Sequence, residues 1–565
     1  MRNLFLSALF AFSVFVVHAQ NDVPVNPNFT WNGEISLAVD PSNTAILVAA
    51  WMKLTSLNTV SIAISRSSDH GNTWQAPVYM PHFSSSFTSA DPALIASSDG
   101  TLFFAYIDYN NITLSEGAVY ITKSTDGGAS WSVPVLAIDA SAAPDIPIDR
   151  PWLAVDNSNG PSKGTLYLVT KSIKQATVTH HIYLIRSSDE GVTWETPKIL
   201  DDSLPVGGTA NTMGVPCVSA DGVLFVNYLS YDISQNLHVR DVFVKSDDGG
   251  QTFTTGIISE LPFSSAIPPG DSLYQYSYHL AANPADSTNL IHILTDRREG
   301  DWDIWVNVSQ DGGATWSTTA RLNDDPVGNG KGQDMCWGGF SGKGTYSALW
   351  RDRRNGTSEP NSDYRIYGSY STDKGVTFSP NFALSQTPGS LFTGLTGNDF
   401  LGASLSDSAV YGTWADKRSG QNQEYFNFHM LPPVSGIRDV AGNSQLQIIP
   451  SVIRSSYAEL NPGYLKENTK FQVAIYDLPG RCILRQENKS RIELGALLKG
   501  MYILGFIKFR NYTEVHREDT EGHRGVSTKQ LNILYFYIKK PMIFNAEFIP
   551  LGTFFIFGTP GKSGA

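Results

Sequence analysis

Three short loops in the second half of the chain each carry an arginine in the same setting. Each loop reads Asp-x-Arg-x-Gly, and the three are Asp296–Gly300, Asp352–Gly356 and Asp416–Gly420. A guanidinium group holds a carboxylate through two parallel hydrogen bonds and keeps its charge at physiological pH. The pattern therefore predicts that one anionic group is bound by Arg298, Arg354 and Arg418. The alternative is that each arginine pairs with the aspartate two residues before it, as part of the loop architecture.

Acidic residues stand just before five apolar runs that are predicted to be strands: Glu34, Asp91, Asp149, Asp334 and Asp399. In Asp149-Arg150-Pro151-Trp152, the acid is followed by a base and an aromatic ring. A carboxyl group near arginines is what glycoside hydrolysis needs for its general acid. We therefore take Asp149 as the candidate catalytic acid and Arg150 as a candidate substrate contact. The alternative is that these acids are turn formers.

An eight-residue motif, Ser-x-Asp-x-Gly-x-Thr-Trp, occurs six times with small variations. The copies are Ser67–Trp74, Ser124–Trp131, Ser187–Trp194, Ser246–Phe253, Ser309–Trp316 and Ser371–Phe378. Their aspartates are 57, 63, 59, 63 and 62 residues apart, and so constant a period indicates stacked supersecondary units. The aspartate is suited to accept backbone N–H bonds across a hairpin turn, and the glycine allows positive φ. The closing aromatic ring is large enough to wedge against a neighbouring sheet.

The motif resembles the Asp-box, or bacterial neuraminidase repeat, of sialidases and many other β-propellers. Three strand candidates, named a, b and c, precede each box, and a fourth strand is expected after it, near Gln75–Tyr79 in the first copy. A seventh set without a box follows at Phe400–Ala403, Val410–Trp414 and Glu424–His429. We predict an all-β, seven-bladed propeller over residues 20–432, with six blades as the alternative. Asp22–Asn26 is expected to supply the missing fourth strand and close the ring.

The resemblance also implies where a ligand would lie. In sialidase-like propellers the site is on the face formed by the b–c and d–a loops, which is opposite the boxes, and three arginines hold the sialic acid carboxylate. Two features depart from sialidases. The usual Arg-Ile-Pro motif before the first box is absent from Trp31–Ser36. The tyrosine nucleophile cannot be assigned, because its three candidates, Tyr278, Tyr364 and Tyr411, have no flanking sequence signature.

Composition excludes some classes of partner. The net charge is -12 with 17% charged residues, and no basic run interleaved with aromatic residues suggests nucleic acid. An acidic chain also gains nothing from an anionic membrane surface. The three cysteines, Cys217, Cys336 and Cys482, form neither a disulfide framework nor a zinc motif. We predict no metal, no cofactor and no transmembrane segment.

Both ends of the chain carry targeting features. Residues 1–19 have a positive start, an apolar stretch over Leu4–Val17 and small-residue cleavage before Gln20, so they are predicted to be a signal peptide. Residues 444–510 resemble the type IX secretion C-terminal sorting domain, a small β-sandwich, through Ile475–Arg481 and Leu497–Leu504. An ordinary accessory β-sandwich is the alternative. The tail, residues 511–565, fits neither pattern and is predicted to be atypical, disordered or frameshifted.

Taken together, the sequence predicts a secreted or surface-attached protein that acts on or binds glycans. As an enzyme, it would be an exo-sialidase-type glycoside hydrolase. The alternative is a non-catalytic propeller that binds a glycan or a protein. In either case the resemblance implies the type IX secretion machinery as a partner.

Overall fold

The computed structural model describes most of the first 431 residues and the strands of the region that follows. The described ranges are 21–26, 31–56, 59–173, 180–206, 213–230, 238–262, 277–356, 363–390 and 400–431, with the strands given below for residues 457–555. The chain divides into two compact units, Met1–Leu431 and Pro432–Ala565. Each unit is described by itself.

The first unit is a propeller of seven four-stranded antiparallel sheets, here called blades 1 to 7. Strands a to d are Asn32–Val39, Leu47–Ser56, Thr59–Ser67 and Val78–Tyr79 in blade 1, and Thr88–Ala96, Leu102–Tyr109, Gly117–Ser124 and Val135–Asp139 in blade 2. They are Asp149–Val155, Leu166–Lys171, Ile182–Ser187 and Lys198–Ile199 in blade 3, and Val215–Val218, Leu224–Ser230, His238–Ser246 and Thr254–Pro262 in blade 4. They are Tyr278–Ala282, Leu290–Asp296, Asp303–Ser309 and Ala320–Arg321 in blade 5, and Gln333–Phe340, Tyr346–Asp352, Arg365–Ser371 and Phe382–Ala383 in blade 6. The predicted seven-bladed fold is confirmed, and the six-bladed alternative is excluded.

Blade 7 is assembled from both ends of the unit. Its strands a to c are Gly402–Leu405, Ala409–Asp416 and Gln423–Met430, and its strand d is Val23–Pro24. Val23 pairs with Phe426, and Pro24 pairs with Tyr425. Each strand a contacts strand a of the next blade, and the contact between blades 7 and 1 completes the ring. The predicted closure by Asp22–Asn26 is therefore confirmed, and the strands a surround a central axis.

The six boxes share one hydrogen-bond pattern. In the first, Ser67 Oγ donates to Asp69 Oδ1 at 2.8 Å, Gly71 N donates to Ser67 Oγ at 2.9 Å, and Thr73 Oγ1 donates to Asp69 Oδ2 at 2.7 Å. Such bonds stabilise the ionised carboxylate. In the second box, the hydroxyl and backbone N–H of Ser130 lower the pKa of Asp126 to about 2. The boxes are therefore structural turns between strands c and d.

Each box also joins its blade to the preceding one. In blade 1, Trp74 meets the ring of Phe426 in blade 7 edge-on, with 5.4 Å between centroids. Gly71 has φ of +84°, and a Cβ there would lie 2.0 Å from the same ring. The expected wedging of the closing aromatic residue against a neighbouring sheet is present here, because the turn packs directly against the preceding blade.

The second unit contains a five-stranded sheet and a two-stranded sheet. In the larger one, the spatial order is Cys482–Glu487, Phe471–Asp477, Gly500–Lys508, Gln530–Ile538 and Phe548–Phe555. Tyr457–Glu459 pairs with Arg491–Glu493. The strands predicted around residues 471–507 are present, whereas the predicted strand Leu446–Ile449 lies outside the described residues. The two apolar runs of the tail form the last two strands of the five-stranded sheet, Gln530–Ile538 and Phe548–Phe555.

Candidate functional site

Four blades begin strand a with the same backbone irregularity. Glu34, Asp91, Arg150 and Met335 have φ between +44° and +53°, and each lies at a register shift between strands a and b. Side chains other than glycine are strained in this region, by about 1–3 kcal/mol each. Bulges of this kind re-aim side chains next to functional sites. They lie where strand a emerges on the face formed by the d–a and b–c loops.

Three of these strand starts bring carboxyl groups together. Glu34, Asp91 and Asp149, from blades 1, 2 and 3, form the acid centre, in which the side chain of Asp91 is hydrogen-bonded to both other acids. Burial, followed by the neighbouring Asp149 charge, raises the pKa of Asp91 to about 6. Two adjacent carboxylates cannot both ionise freely, so one of them keeps its proton up to about pH 6. The acid centre therefore holds a proton that it can donate.

The proton is placed on Asp91 because cations favour the charged form of Asp149. Nζ of Lys171, at the end of strand b in blade 3, lies 2.6 Å from Asp149 Oδ2. Burial opposes ionisation of Asp149, but the charges of Lys171 and Arg150 outweigh it and lower its pKa. Arg150 also fixes Asp91, since its backbone N donates to Asp91 Oδ2 at 3.0 Å. The two carboxyl groups therefore differ in charge at the same pH.

Tyr109, the last residue of strand b in blade 2, lies beside the acid centre. Burial and the negative charges of Asp91, Asp149 and Glu34 raise the pKa of its hydroxyl to about 12. Tyr109 therefore stays neutral and can donate a hydrogen bond, whereas a nucleophilic phenolate would require the opposite shift.

Aromatic rings lie across the axis next to the acid centre. Trp152 of blade 3 and Trp337 of blade 6 are 4.5 Å apart, and Phe400 meets Trp152 edge-on at 5.2 Å. The guanidinium of Arg150 lies 4.8 Å above the Phe400 ring. Because blades 3 and 6 are not neighbours in the ring, the two tryptophans meet across the centre of the propeller. We call Trp152, Trp337 and Phe400 the aromatic floor.

The fourth predicted acid, Asp334, belongs to a separate buried network in blade 6. Arg351 Nε donates to Asp334 Oδ1 at 2.6 Å, and Arg353 Nη1 donates to the same oxygen at 3.1 Å. Asp334 and Arg353 are fully buried. This network fixes the start of strand a in blade 6. Asp399 lies outside the described residues.

The arginines of the three Asp-x-Arg-x-Gly loops bind the aspartates of their own loops. Arg298 Nε donates to Asp296 at 2.7 Å, Arg354 Nη2 to Asp352 at 2.9 Å, and Arg418 Nη2 to Asp416 at 2.6 Å. Each guanidinium also covers a ring on strand c of its own blade. These rings are Trp305 at 4.5 Å, Tyr367 at 4.3 Å and Tyr425 at 4.2 Å. The contacts are those of the loop-pairing alternative, and the predicted site residues that the structure brings together are Asp149 and Arg150.

The three candidate tyrosine nucleophiles are buried and hydrogen-bonded away from the acid centre. The hydroxyl of Tyr278 donates to Met213 O, and that of Tyr364 donates to Ala415 O at 2.8 Å. The hydroxyl of Tyr411 is 3.3 Å from Ser406 Oγ. These contacts join blades or turns, so the three side chains have structural partners.

Lys171 and Tyr109 are site residues that the sequence-based prediction missed. Both end a strand b, on the face where the strands a begin, and this position is the signal that could have identified them. Within the described residues, no group of three or more acidic, histidine or cysteine side chains is arranged to hold a metal ion. In the same part of the chain, no helix is long and apolar enough to cross a membrane.

Comparison with known proteins finds a repeat-like domain and several solved propellers. Residues 119–334 match the family described as BNR repeat-like domain. A protein of unknown function from Dyadobacter fermentans is 17% identical, with 62% of this chain and 97% of that chain covered and a TM-score of 0.41. The GH93 α-L-arabinofuranosidase of Fusarium graminearum is 13% identical, with 73% and 98% covered and a TM-score of 0.39. The intramolecular trans-sialidase of Ruminococcus gnavus is 15% identical, with 72% and 96% covered and a TM-score of 0.35. The comparison with curated proteins gives no match.

Proposed function

We propose that the face carrying the acid centre binds a glycan and cleaves a terminal sugar from it. The observation that carries this proposal is the unequal carboxyl pair, in which Asp91 has a pKa of about 6 and the pKa of Asp149 is lowered. A general acid works best when its pKa lies near the operating pH. Paired carboxyl groups with separated pKa values are the usual equipment of glycoside hydrolysis.

The roles follow from the contacts. The Asp91–Asp149 pair gives its proton to the leaving glycosidic oxygen as the bond to the anomeric carbon breaks, and the pair then takes a proton from the water molecule that adds to that carbon. We assign Asp149 as the group that faces the bond, because its side chain is 23% exposed and is oriented by Lys171, which is 3% exposed. Arg150 contacts the substrate, and the aromatic floor receives the apolar face of a sugar ring.

The acidic-sugar class of substrate rests on the arginines. Arg150 is the guanidinium at the acid centre, and Arg298, Arg354 and Arg418 remain predicted contacts for a sugar carboxylate. Each of these three would have to exchange a hydrogen bond with its own aspartate for one with the substrate. Arg354 is the most demanding case, because its guanidinium donates to Asp352, Asp324 and Asn381. A substrate carboxylate would have to replace at least one of these partners, so Arg354→Ala is a direct test of carboxylate binding.

A second candidate function is glycan or protein binding without hydrolysis. The observation that favours it is the burial of Tyr278, Tyr364 and Tyr411, whose hydroxyls are engaged within the propeller. A binding module would use the same aromatic floor and Arg150 and would need no nucleophile.

The test uses the full chain with a panel of fluorogenic glycosides that includes a sialoside, together with a glycan array. If the protein is a hydrolase, Asp149→Asn should abolish turnover, whereas Asp202→Asn, at an exposed aspartate, should leave it unchanged. Loss of activity in Arg354→Ala would support the acidic-sugar class. Binding without turnover, lost in Trp337→Ala, would establish the second candidate. Neither binding nor turnover would refute both.

We also propose that the chain is exported, with residues 1–19 as signal peptide and the region from residue 444 as sorting domain for the type IX machinery. The support is the sequence of the two ends. Deleting residues 444–565 should trap the protein in the periplasm. Unchanged secretion of the truncated chain would refute the sorting role.

A further inference from the structure

A chain of hydrogen bonds connects a serine, a histidine and an aspartate between blades 1 and 2. Ser61 Oγ lies 2.8 Å from His82 Nε2, and His82 Nδ1 lies 2.7 Å from Asp108 Oδ1. A nucleophile within hydrogen-bond reach of a base that is itself oriented by a third group is the arrangement of nucleophilic catalysis.

The tautomer of His82 follows from its partners. Asp108 is fully buried and its Oδ2 accepts the backbone N–H of Phe83 at 2.7 Å, so the carboxylate acts as an acceptor. His82 must therefore donate through Nδ1, which leaves Nε2 as the acceptor for the hydroxyl proton of Ser61. In this tautomer the imidazole is ready to remove that proton.

The three residues come from separate elements that are fixed in place. Ser61 lies on strand c of blade 1, His82 lies in the connection to blade 2, and Asp108 is the penultimate residue of strand b of blade 2. The connection is held at both sides of His82, because Tyr106 Oη donates to Pro81 O at 3.2 Å and Thr88 Oγ1 accepts from Val60 N at 2.9 Å. The geometry thus depends on packed strands and not on a free loop.

The triad is separate from the acid centre although the two share a strand. Asp108 and Tyr109 are consecutive, and side chains alternate between the two sides of a strand. Tyr109 packs in the cluster between blades 2 and 3, whereas Phe104 and Tyr106, on the same side as Asp108, pack between blades 1 and 2. One strand therefore separates two groups of reactive side chains.

Solvent reaches the triad at His82. The His82 side chain is 22% exposed, and the hydroxyl of the exposed Thr55 lies 3.1 Å from Ser61 Oγ. Ser61 itself is only 6% exposed, so a bulky acyl group could not reach its hydroxyl. The Thr55 hydroxyl donates to Thr59 O at 3.2 Å, and by rotating it could donate instead to an oxygen that becomes negative beside Ser61.

We propose that Ser61, His82 and Asp108 form an esterase site for carboxylic esters with a small acyl group. His82 Nε2 takes the Ser61 proton as Oγ bonds to the acyl carbon, and the ester C–O bond breaks as His82 returns that proton to the departing alcohol. A water molecule then adds to the acyl carbon, with its proton taken by His82, and the acid leaves as Ser61 regains its proton. Asp108 is a positioning residue for the imidazole.

The test is covalent labelling of the full chain with a fluorophosphonate, followed by peptide mass spectrometry and by hydrolysis of 4-nitrophenyl acetate. The phosphonyl group should attach to Ser61 with loss of fluoride. The tryptic peptide Leu54–Arg66 also contains Ser56 and Ser65, which serve as internal controls. Ser61→Ala and His82→Gln should lower esterase kcat by about 10³-fold or more, whereas Ser65→Ala, at a buried serine of the same strand, should not.

Asp108→Asn should leave the propeller folded but slow the labelling, since the amide no longer holds the correct tautomer. Absence of an adduct on Ser61 in the folded wild-type protein would overturn the proposal, and so would labelling at an unchanged rate in His82→Gln. Asp202→Asn, at an exposed aspartate away from both sites, should retain full esterase activity and labelling.

Discussion

Nζ of Lys171 lies 2.6 Å from Oδ2 of Asp149, and this ion pair decides which carboxyl of the acid centre is charged. Without the ammonium group, Asp149 would share the environment that raises the pKa of Asp91 to about 6. The acid centre thus combines a charged Asp149 with an Asp91 that keeps its proton up to about pH 6, because Lys171 on strand b of blade 3 supplies a cation.

Replacing Lys171 with methionine should destabilise the propeller. The side chain of Lys171 is 3% exposed, so its loss leaves Asp149 without its closest cation in a largely buried site. Removing one partner of a buried pair costs about 3 kcal/mol or more. Denaturant unfolding at pH 7 measures the change, and Lys163→Met, at an exposed lysine, is the control. Equal stability of the two variants would contradict the role given to the pair.

The raised pKa of Asp91 predicts a pH dependence of stability. The folded protein binds a proton at Asp91 up to a pH of about 6, whereas the unfolded chain releases it near 3.8. Stability from this group is therefore complete below pH 4 and is lost as pH rises through about 6, by ~3 kcal/mol. Asp91→Asn should raise the free energy of unfolding at pH 8 relative to wild type and have little effect at pH 4. A gain of equal size at both pH values would disagree with this assignment.

Gly71 and Gly164 offer a matched pair for the contact between box and blade. Both have φ near +84°, but a Cβ on Gly71 would lie 2.0 Å from Phe426, whereas one on Gly164 meets nothing within 4 Å. Gly164→Ala should cost about 1–2 kcal/mol for the backbone alone. Gly71→Ala should cost a further 1–3 kcal/mol, roughly, because the Phe426 ring must move. Thermal unfolding compares the two, and similar melting temperatures would mean that the ring can move without cost.

We predict that the hydrogen bonds and ion pair of Asp22, here called the clasp, are the main polar contacts that hold the ring closed at blade 7. Its carboxylate accepts from Gln386 N at 2.9 Å, Thr387 N at 3.0 Å and Asn427 Nδ2 at 3.0 Å, and it pairs with Arg418. Asp22→Ala leaves these donors without their acceptor, and because Asn427 is buried whereas Gln386 and Thr387 are exposed, the loss should cost about 1–3 kcal/mol in total. Protection of blade 7 amides from hydrogen exchange should fall more than protection of blade 4 amides. Asp202→Ala controls for the loss of a carboxylate, and uniform loss of protection around the ring would argue against a local clasp.

Much of the fold could be predicted because short stretches of consecutive residues specify its turns and strands. The boxes place an aspartate, a glycine and an aromatic residue at fixed offsets, and Ser67–Trp74 alone shows what the others do. The apolar runs between them are long enough to count blades. Even the closure of blade 7 was accessible, since Val23–Pro24 precedes strand a of blade 1 and blade 7 lacked a fourth strand.

The candidate site was less accessible because its contacts join blades. The motif around Arg354 was visible, but sequence cannot decide whether a guanidinium turns toward a ligand or toward Asp352. The acids Glu34, Asp91 and Asp149 were visible too, whereas their shared proton depends on burial and on Lys171. Ser61, His82 and Asp108 have no flanking motif, and only the packing of two blades brings them together.

The clasp at blade 7 has a consequence for the order of folding. Asp22 contacts residues 364, 365 and 405 positions away, so the last sheet is complete only after residue 430 has been synthesised. Contacts of such long range make folding slow, although each doubling of the closed loop costs only about 0.6 kcal/mol. Until Val23–Pro24 pairs with it, strand c of blade 7 has an open edge that another chain could pair with. Rapid pairing of Val23–Pro24 with strand c of blade 7 should therefore protect the newly made propeller from aggregation.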